Sequence, residues 1–321
     1  MNQREISFGG TRLAVDTKVV NLANVRPTDL TPLSELPELR ELRIIQTNPH
    51  ESVVGLPLNL APLAKLAHLE LLDLPKLVIR DLTPLSDLAE LRKVDLSHTQ
   101  INDLSPLKNS RMLRVLRVRD TKVQSVAPLS QLTELVTLDL GYTPVADLAP
   151  LDNLHNLVEL AIDGTMVADL GPIRNLEKLT NLTVNGTRIQ SLELLRELNW
   201  FHHTERMDLS DTKITNLGGI ETARHATELF LFNTPVSDLT PLAQLKQLRV
   251  LRLDNTTVND LGPLSVLTAL EVLSVSGTAV RNLSPLHQLP NLQNVDVTNT
   301  AITPQQVKTL AEKTGAEVFG P

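Results

Sequence analysis

The chain has 321 residues and is 41% apolar, yet it holds only five Phe, one Trp and one Tyr, so aliphatic side chains must build its core. A formal charge of −7 and a pI near 5.6 have the wrong sign for a general nucleic-acid binder. The absence of cysteine excludes disulfide caps, thiolate metal sites and thiol nucleophiles.

Residues 4–25 read as an N-terminal cap. Ile6, Phe8, Leu13 and Val15 alternate around Gly9-Gly10, which suits a tight hairpin. Val19, Val20, Leu22 and Val25 then resemble a degenerate half-repeat, as expected of a terminal unit that covers an open apolar stack. From Asp29 a 22-residue pattern takes over. It is clearest in Asp81–Asn102 (DLTPLSDLAELRKVDLSHTQIN) and returns at Asp103, Ser125, Asp147, Asp169, Asp238 and Asp260. A fixed stride of this length marks a solenoid, in which each unit buries its apolar face against the next.

Twelve units open at Leu30, Leu60, Leu82, Leu104, Val126, Leu148, Leu170, Leu192, Leu217, Leu239, Leu261 and Leu283. The first step is 30 residues, lengthened by an insert within Asn48–Asn59. The step from Leu192 is 25, with three extra residues near His202–Thr204. Within a unit, pairs such as Val94 and Leu96 predict a short strand with alternate side chains in the core. Stacked units make these strands a parallel sheet. A Thr three residues after the pair (47, 99, 121, 143, 165, 187, 212, 234, 256, 278, 300; Leu77 is the exception) sits where the chain leaves the sheet. Its hydroxyl can satisfy main-chain groups of that buried turn. On the opposite side, Thr31-Pro32, Thr83-Pro84 and their equivalents predict a helix start, capped by the residue before proline. So few residues remain that the helix is short or 3₁₀.

Thr303-Pro304 opens a last helix over Gln305–Lys313, with Val307 and Leu310 on one face. Gly315 ends it, and Ala316–Phe319 reads as a final edge strand. The domain reading is a cap over residues 1–28, twelve repeats over 29–302 and a helix-strand cap over 303–321.

The unit D-L-x-P-L-x-x-L-x-x-L-x-x-L-x-L-x-x-T resembles the 22-residue leucine-rich repeat of bacterial internalins and of a eukaryotic phosphatase regulator. Those families usually carry Asn where this chain has Thr, and Thr-bearing arrays are more similar to other bacterial leucine-rich-repeat proteins. The resemblance implies an α/β fold: a right-handed horseshoe solenoid with a parallel β-sheet on the concave face and short 3₁₀/α segments on the convex face. It also implies a non-catalytic module that binds a protein partner on its concave strands, with no cofactor. The partner's identity does not follow. A bacterial effector or adhesin-like virulence factor acting on a host protein is the alternative.

Outward concave positions flank each L-x-L pair, and Phe230 and Phe232 stand out among them. Asp208 and Arg252 should flank Phe230, while Ser210 and Asp254 should flank Phe232. Exposed aromatics rimmed by charge resemble interface hot spots. Alternatively, the rings lie flat on neighbouring stems, or pair with Arg252 as an internal cation–π contact. Arg206 lies on the same face. Arg117 has Asp95 and Asp139 as expected neighbours, so a surface ion-pair ladder accounts for it. Arg119 faces Ser97 and Gly141 and is less compensated, with Tyr142 close by. Trp200, beside the insert, needs a partner or solvent for its indole N–H; Phe201 replaces a repeat leucine and is core. Ala223 and Ala226, smaller than the leucines they replace, suggest compensated packing and a local change of curvature.

Chemical motifs are sparse. His202, His203 and Glu205 form the one tight group of ligand-type residues, but adjacent loop histidines rarely converge on a metal, and no metal site is assigned. No phosphate-binding glycine motif occurs, and no oriented triad involves His98. No long apolar run follows Met1, so a cytoplasmic location is expected, or export by a route without a recognisable signal peptide. The expected state is a monomer that neither binds nucleic acid nor inserts into a membrane.

Overall fold

A computed structural model describes residues 4–47 and 55–320, so most of the Asn48–Asn59 insert lies outside the described residues. The chain divides into two compact units, Met1–Val167 and Ala168–Pro321. The first opens with an antiparallel hairpin, β1 (Glu5–Phe8) and β2 (Thr11–Ala14), paired Ile6 to Leu13 and Phe8 to Thr11. Gly9 and Gly10 take φ of 57° and 80°, the left-handed pair that a two-residue hairpin turn requires.

Seven strands follow in the first unit: β3 (Val19–Ala23), β4 (Glu41–Ile45), β5 (Leu71–Asp73), β6 (Lys93–Asp95), β7 (Val115–Arg117), β8 (Thr137–Asp139) and β9 (Glu159–Ala161). They pair in chain order, all parallel and in register. The second unit carries β10 (Asn181–Thr183), β11 (Arg206–Asp208), β12 (Glu228–Phe230), β13 (Val250–Arg252), β14 (Val272–Ser274), β15 (Asn294–Asp296) and β16 (Glu317–Phe319). Here β11 to β16 form one parallel sheet. The return segments are 3₁₀ turns of three to five residues, such as Thr83–Leu85 and Thr240–Gln244. The leucine ladder is sealed: Leu82, Leu85, Leu88, Leu91, Val94 and Leu96 are all at or below 2% exposure. Each fully buried leucine contributes about 1.5–3 kcal/mol.

The turns are capped differently from the sequence expectation. The residue before proline does not cap. Instead the side chain two residues before it accepts a main-chain N–H, as in Asp81 Oδ1 from Thr83 N at 2.8 Å. Asp, Asn or Ser does this in all twelve units. Such Asx-type turns exploit the reach of a short acceptor to the amide two residues on. Where Thr or Ser also donates its hydroxyl, at Asp29, Asp81, Asp103 and Asp238, that bond and the main-chain N–H hold the carboxyl below its ordinary range.

At the strand exit the repeat threonine donates to the carbonyl three residues earlier. Thr99 bonds Leu96 O at 2.7 Å, and nine further threonines repeat the contact. The bond is local to each unit. Thr47 departs from it, bonding Asn24 Oδ1 at 2.8 Å. The closing helix, α1 of the cap (Pro304–Thr314), has a Thr303–Gln306 capping box and ends at left-handed Gly315.

Replacing Thr212, which is 0% exposed, by the isosteric valine leaves the Leu209 carbonyl without its donor. The expected loss is about 1–3 kcal/mol, read as a lower urea midpoint of the transition involving the second unit. Thr300→Val, at a half-buried site, should lose less.

Candidate functional site

In the second unit the register aligns Asp208, Phe230, Arg252, Ser274, Asp296 and Phe319 in one row across the sheet. At about 4.8 Å per strand, the row from Phe230 to Phe319 spans about 19 Å. Phe230 and Phe232 are both half-buried, and neither ring is sealed in the core. The register continues past β12, since Asp211 N donates to Phe232 O and Asn233 N donates to Asp254 O.

The cation over Phe230 is Arg206, 4.6 Å from the ring centroid, and not Arg252. Arg206 is the register partner of Glu228 and lies 3.5 Å from its carboxylate, so its side chain is drawn along β12 towards the ring. Arg252 is exposed and makes no ion pair among the described residues. Its register neighbours are Phe230 and Ser274, and the aspartates further along this face are engaged elsewhere. Asp208 accepts from Ser210 N at 3.1 Å, Asp296 accepts from Thr298 N at 2.9 Å, and Asp254 takes the Ser274 hydroxyl. Beyond Arg252 the row dips into a cavity of about 270 Å³ lined also by Val272, Leu273 and Asp296. Phe319, 45% exposed, stands at its far wall. Sequence reasoning placed Phe319 on a strand but not on this face; pairing of Asp296 with Phe319 needs a 23-residue step that the repeat does not announce.

In the first unit the corresponding row runs Arg43, Asp73, Asp95, Arg117, Asp139. Arg117 sits between two aspartates as expected but forms no ion pair among the described residues. Asp95 and Asp139 instead accept N–H groups of Ser97 and Gly141 at 3.0 and 2.9 Å. Arg119, expected to be less compensated, is the tethered one. Its guanidinium donates to Asp163 at 3.1 Å, with a second contact to the other carboxylate oxygen, and to Asp139 at 3.3 Å. The bond to Asp163 is the main reason its pKa is raised. Gly141 makes the reach possible: a Cβ there would lie 2.8 Å from Arg119 Cζ and 2.9 Å from Asp163 Oδ1.

Tyr142 completes this cluster. Its ring lies 4.8 Å from the Arg119 guanidinium and rests on Gly164, where a Cβ would come within 2.8 Å of Cδ1. The residue is 56% exposed with φ of 54°. Equivalent left-handed positions hold Lys76, His98, Asp120, Gly164, Asn233 and Asn255, most of them residues that tolerate that region. A tyrosine there costs about 1–3 kcal/mol of backbone strain.

Asp73 lacks the local donor that its counterparts have, because the residue two positions on is Pro75. Burial pushes its carboxyl up, and neighbouring Asp95 pushes it further. Among the described residues no group of three or more His, Asp or Glu is placed to hold a metal. His203 stacks on His225, with ring centroids 6.2 Å apart. No helix among the described residues is long and apolar enough to cross a membrane.

No protein-family model matches the sequence, and no curated protein matches it. Solved structures do. The chain is similar to an internalin (InlF) of Listeria monocytogenes, at 26% identity and a TM-score of 0.73, over 89% of this chain and 83% of that one. A leucine-rich-repeat protein of Leptospira interrogans aligns over 95% of this chain and 96% of its own, at 17% identity and TM-score 0.64. The plant peptide hormone receptor RGFR1, solved in complex with RGF2, aligns over 96% of this chain and 56% of its own, at 15% identity and TM-score 0.69. The last two show likeness of fold.

Two outcomes test the first-unit geometry. Gly141→Ala should displace Arg119 and cost about 1–3 kcal/mol. Arg119→Met should cost a similar amount, and the double variant should lose clearly less than the two combined, since both remove one contact. For Asp73 the folded pKa lies above the unfolded one, so its ionisation weakens the fold as pH rises through the folded value. Asp73→Asn should therefore raise the thermal midpoint at pH 7, and the gain should vanish below the ordinary carboxylate range.

Proposed function

Since the chain folds as a leucine-rich-repeat protein of the internalin-like type, we propose that it is a non-catalytic module that grips a protein partner with the exposed faces of its strands. The observation that carries this reading is the row on β11–β16. A chain with five phenylalanines brings Phe230 and Phe319 into one row of the sheet, with Phe232 two residues past the end of β12. Half-buried aromatics held in place lose little entropy on binding, which is what an anchor needs. Phe230 is held by Arg206, and Phe232 flanks it.

Charged residues divide by what they already do. Arg252 and Arg117 have unspent donors and suit acidic groups of a partner. Asp208 and Arg206 are committed internally and set the shape around the anchors, while Arg119 is committed within the first unit to Asp163 and Asp139. Tyr142 projects from the first unit and offers a second contact there. A bacterial effector or adhesin-like role remains the alternative reading, and it is a matter of where the partner resides.

Phe230→Ala combined with Phe232→Ala should abolish capture of the partner in a pull-down from source lysate while leaving the circular-dichroism melt unchanged. Undiminished capture would remove this face from the reading.

A further inference from the structure

Asn185-Gly186 is the single Asn-Gly step in the chain, and it lies just past the end of β10, where the regular stride is about to break. An asparagine side chain can be attacked by the main-chain nitrogen of the next residue, and glycine hinders that approach least because it has no Cβ. In this step Gly186 N bonds to Cγ of Asn185, and its proton leaves with the side-chain nitrogen as ammonia. The product is a five-membered succinimide. Water then opens the ring at either carbonyl. One opening gives aspartate; the other gives isoaspartate, whose main chain runs through the former side chain.

In the folded chain the carbon under attack is free and the attacking nitrogen is not. Asn185 is half-buried, and its side chain makes no hydrogen bond among the described residues. It lines a cavity of about 340 Å³ shared by β10 and β11, polar and roomy enough to hold the water that the second step needs. Gly186 N donates to Ser210 O at 2.8 Å, with Gly186 at φ of 70°. The proton that must leave is the one this bond holds, so ring closure waits until the bond opens. The bond is thinly supported. Strands β10 and β11 are not paired, whereas the equivalent bonds from Asp211 N to Phe232 O and from Asn233 N to Asp254 O each follow a paired couple of strands. Local opening is cheapest where few neighbouring bonds must break with it.

We propose that Asn185 is a site of self-modification, latched by the Ser210 carbonyl and released when the chain opens beyond β10. The inference stands apart from the protein-binding reading. Aspartate is an acceptable product, since Asp254 occupies the equivalent position three units later. Isoaspartate is not: it adds a main-chain carbon just before Gly186 and puts the Ser210 bond out of register. Conversion is therefore one-way, and its yield records how often this part of the second unit has opened.

The full chain, held at mildly alkaline pH, is mapped by mass spectrometry for the mass gained on amide-to-acid conversion. Asn185 should convert before any other asparagine, and at least about tenfold more slowly than in a synthetic peptide of residues 181–189. In urea beyond the unfolding transition it should reach the peptide's rate. Thr187→Val removes the hydroxyl bond to Val184 O at the same turn, so it should speed conversion several-fold while hydrogen exchange at Gly186 rises in parallel. Asp163-Gly164, one unit earlier, can close the same ring with loss of water, but its carboxylate is held by Arg119 and should stay unchanged. Equal rates in the folded chain and the peptide, or earlier conversion of another asparagine, overturn the proposal. So does a conversion rate that stays constant in Thr187→Val while Gly186 exchange accelerates. If that variant does not fold, the urea series decides alone, and an Asn185 that stays unconverted there sinks the idea.

Discussion

The turns that join the strands have main-chain N–H and C=O groups that the sheet ladder does not satisfy, and the repeat is arranged around answering them. Two short side chains do it in ten of the twelve units. An Asp, Asn or Ser at the turn entry accepts the amide two residues on, and a threonine at the strand exit donates to the carbonyl three residues back. Leucines supply the driving force, but they are non-directional. The polar pair sets where the backbone bends, and so holds the stride at 22 residues.

The same demand decides which charges are available at the surface. Asp95, Asp139, Asp208 and Asp296 each accept the amide two residues ahead. The two aspartates beside Arg117 are held this way, one of them by Arg119 as well, whereas Arg252 has Phe230 and Ser274 on either side; neither arginine forms an ion pair among the described residues. Asp73 shows the converse. Proline at position 75 has no N–H to offer, and burial together with the Asp95 charge outweighs the attraction of Lys93, Arg43 and Arg117. Counted by formal charge the strand faces look mixed; by unspent groups they present guanidinium and aromatic rings.

The period made the fold legible, because identical spacing forces identical pairing: Asp208, Phe230 and Arg252 do lie side by side. The final helix and the glycine hairpin were legible for the same local reasons. What the sequence could not convey was reach. Arg119 bonds across a neighbouring unit to Asp163, and it does so because Gly141 leaves a gap. Arg206, rather than Arg252, covers Phe230 because Glu228 steers it. Long side chains choose among several acceptors, and the choice depends on which are already engaged. The capping residue was misplaced by two positions for a related reason: a proline motif signals a turn start, whereas the Asx acceptor that fixes it sits earlier.

A regular repeat satisfies its own turns, since nearly every unit answers the main-chain groups there with its own side chains. Groups remain where regularity fails. Gly219 takes φ of 100° at the position other units give to proline, whose ring would hold φ near −65°, so the unit after the 25-residue step keeps the Asx-type contact of Asn216 but cannot take the proline. Phe201, Ala223 and Ala226 are all sealed in the core there, which keeps the apolar stack closed across units of unequal length. The core is thus repaired while the sheet edge is not.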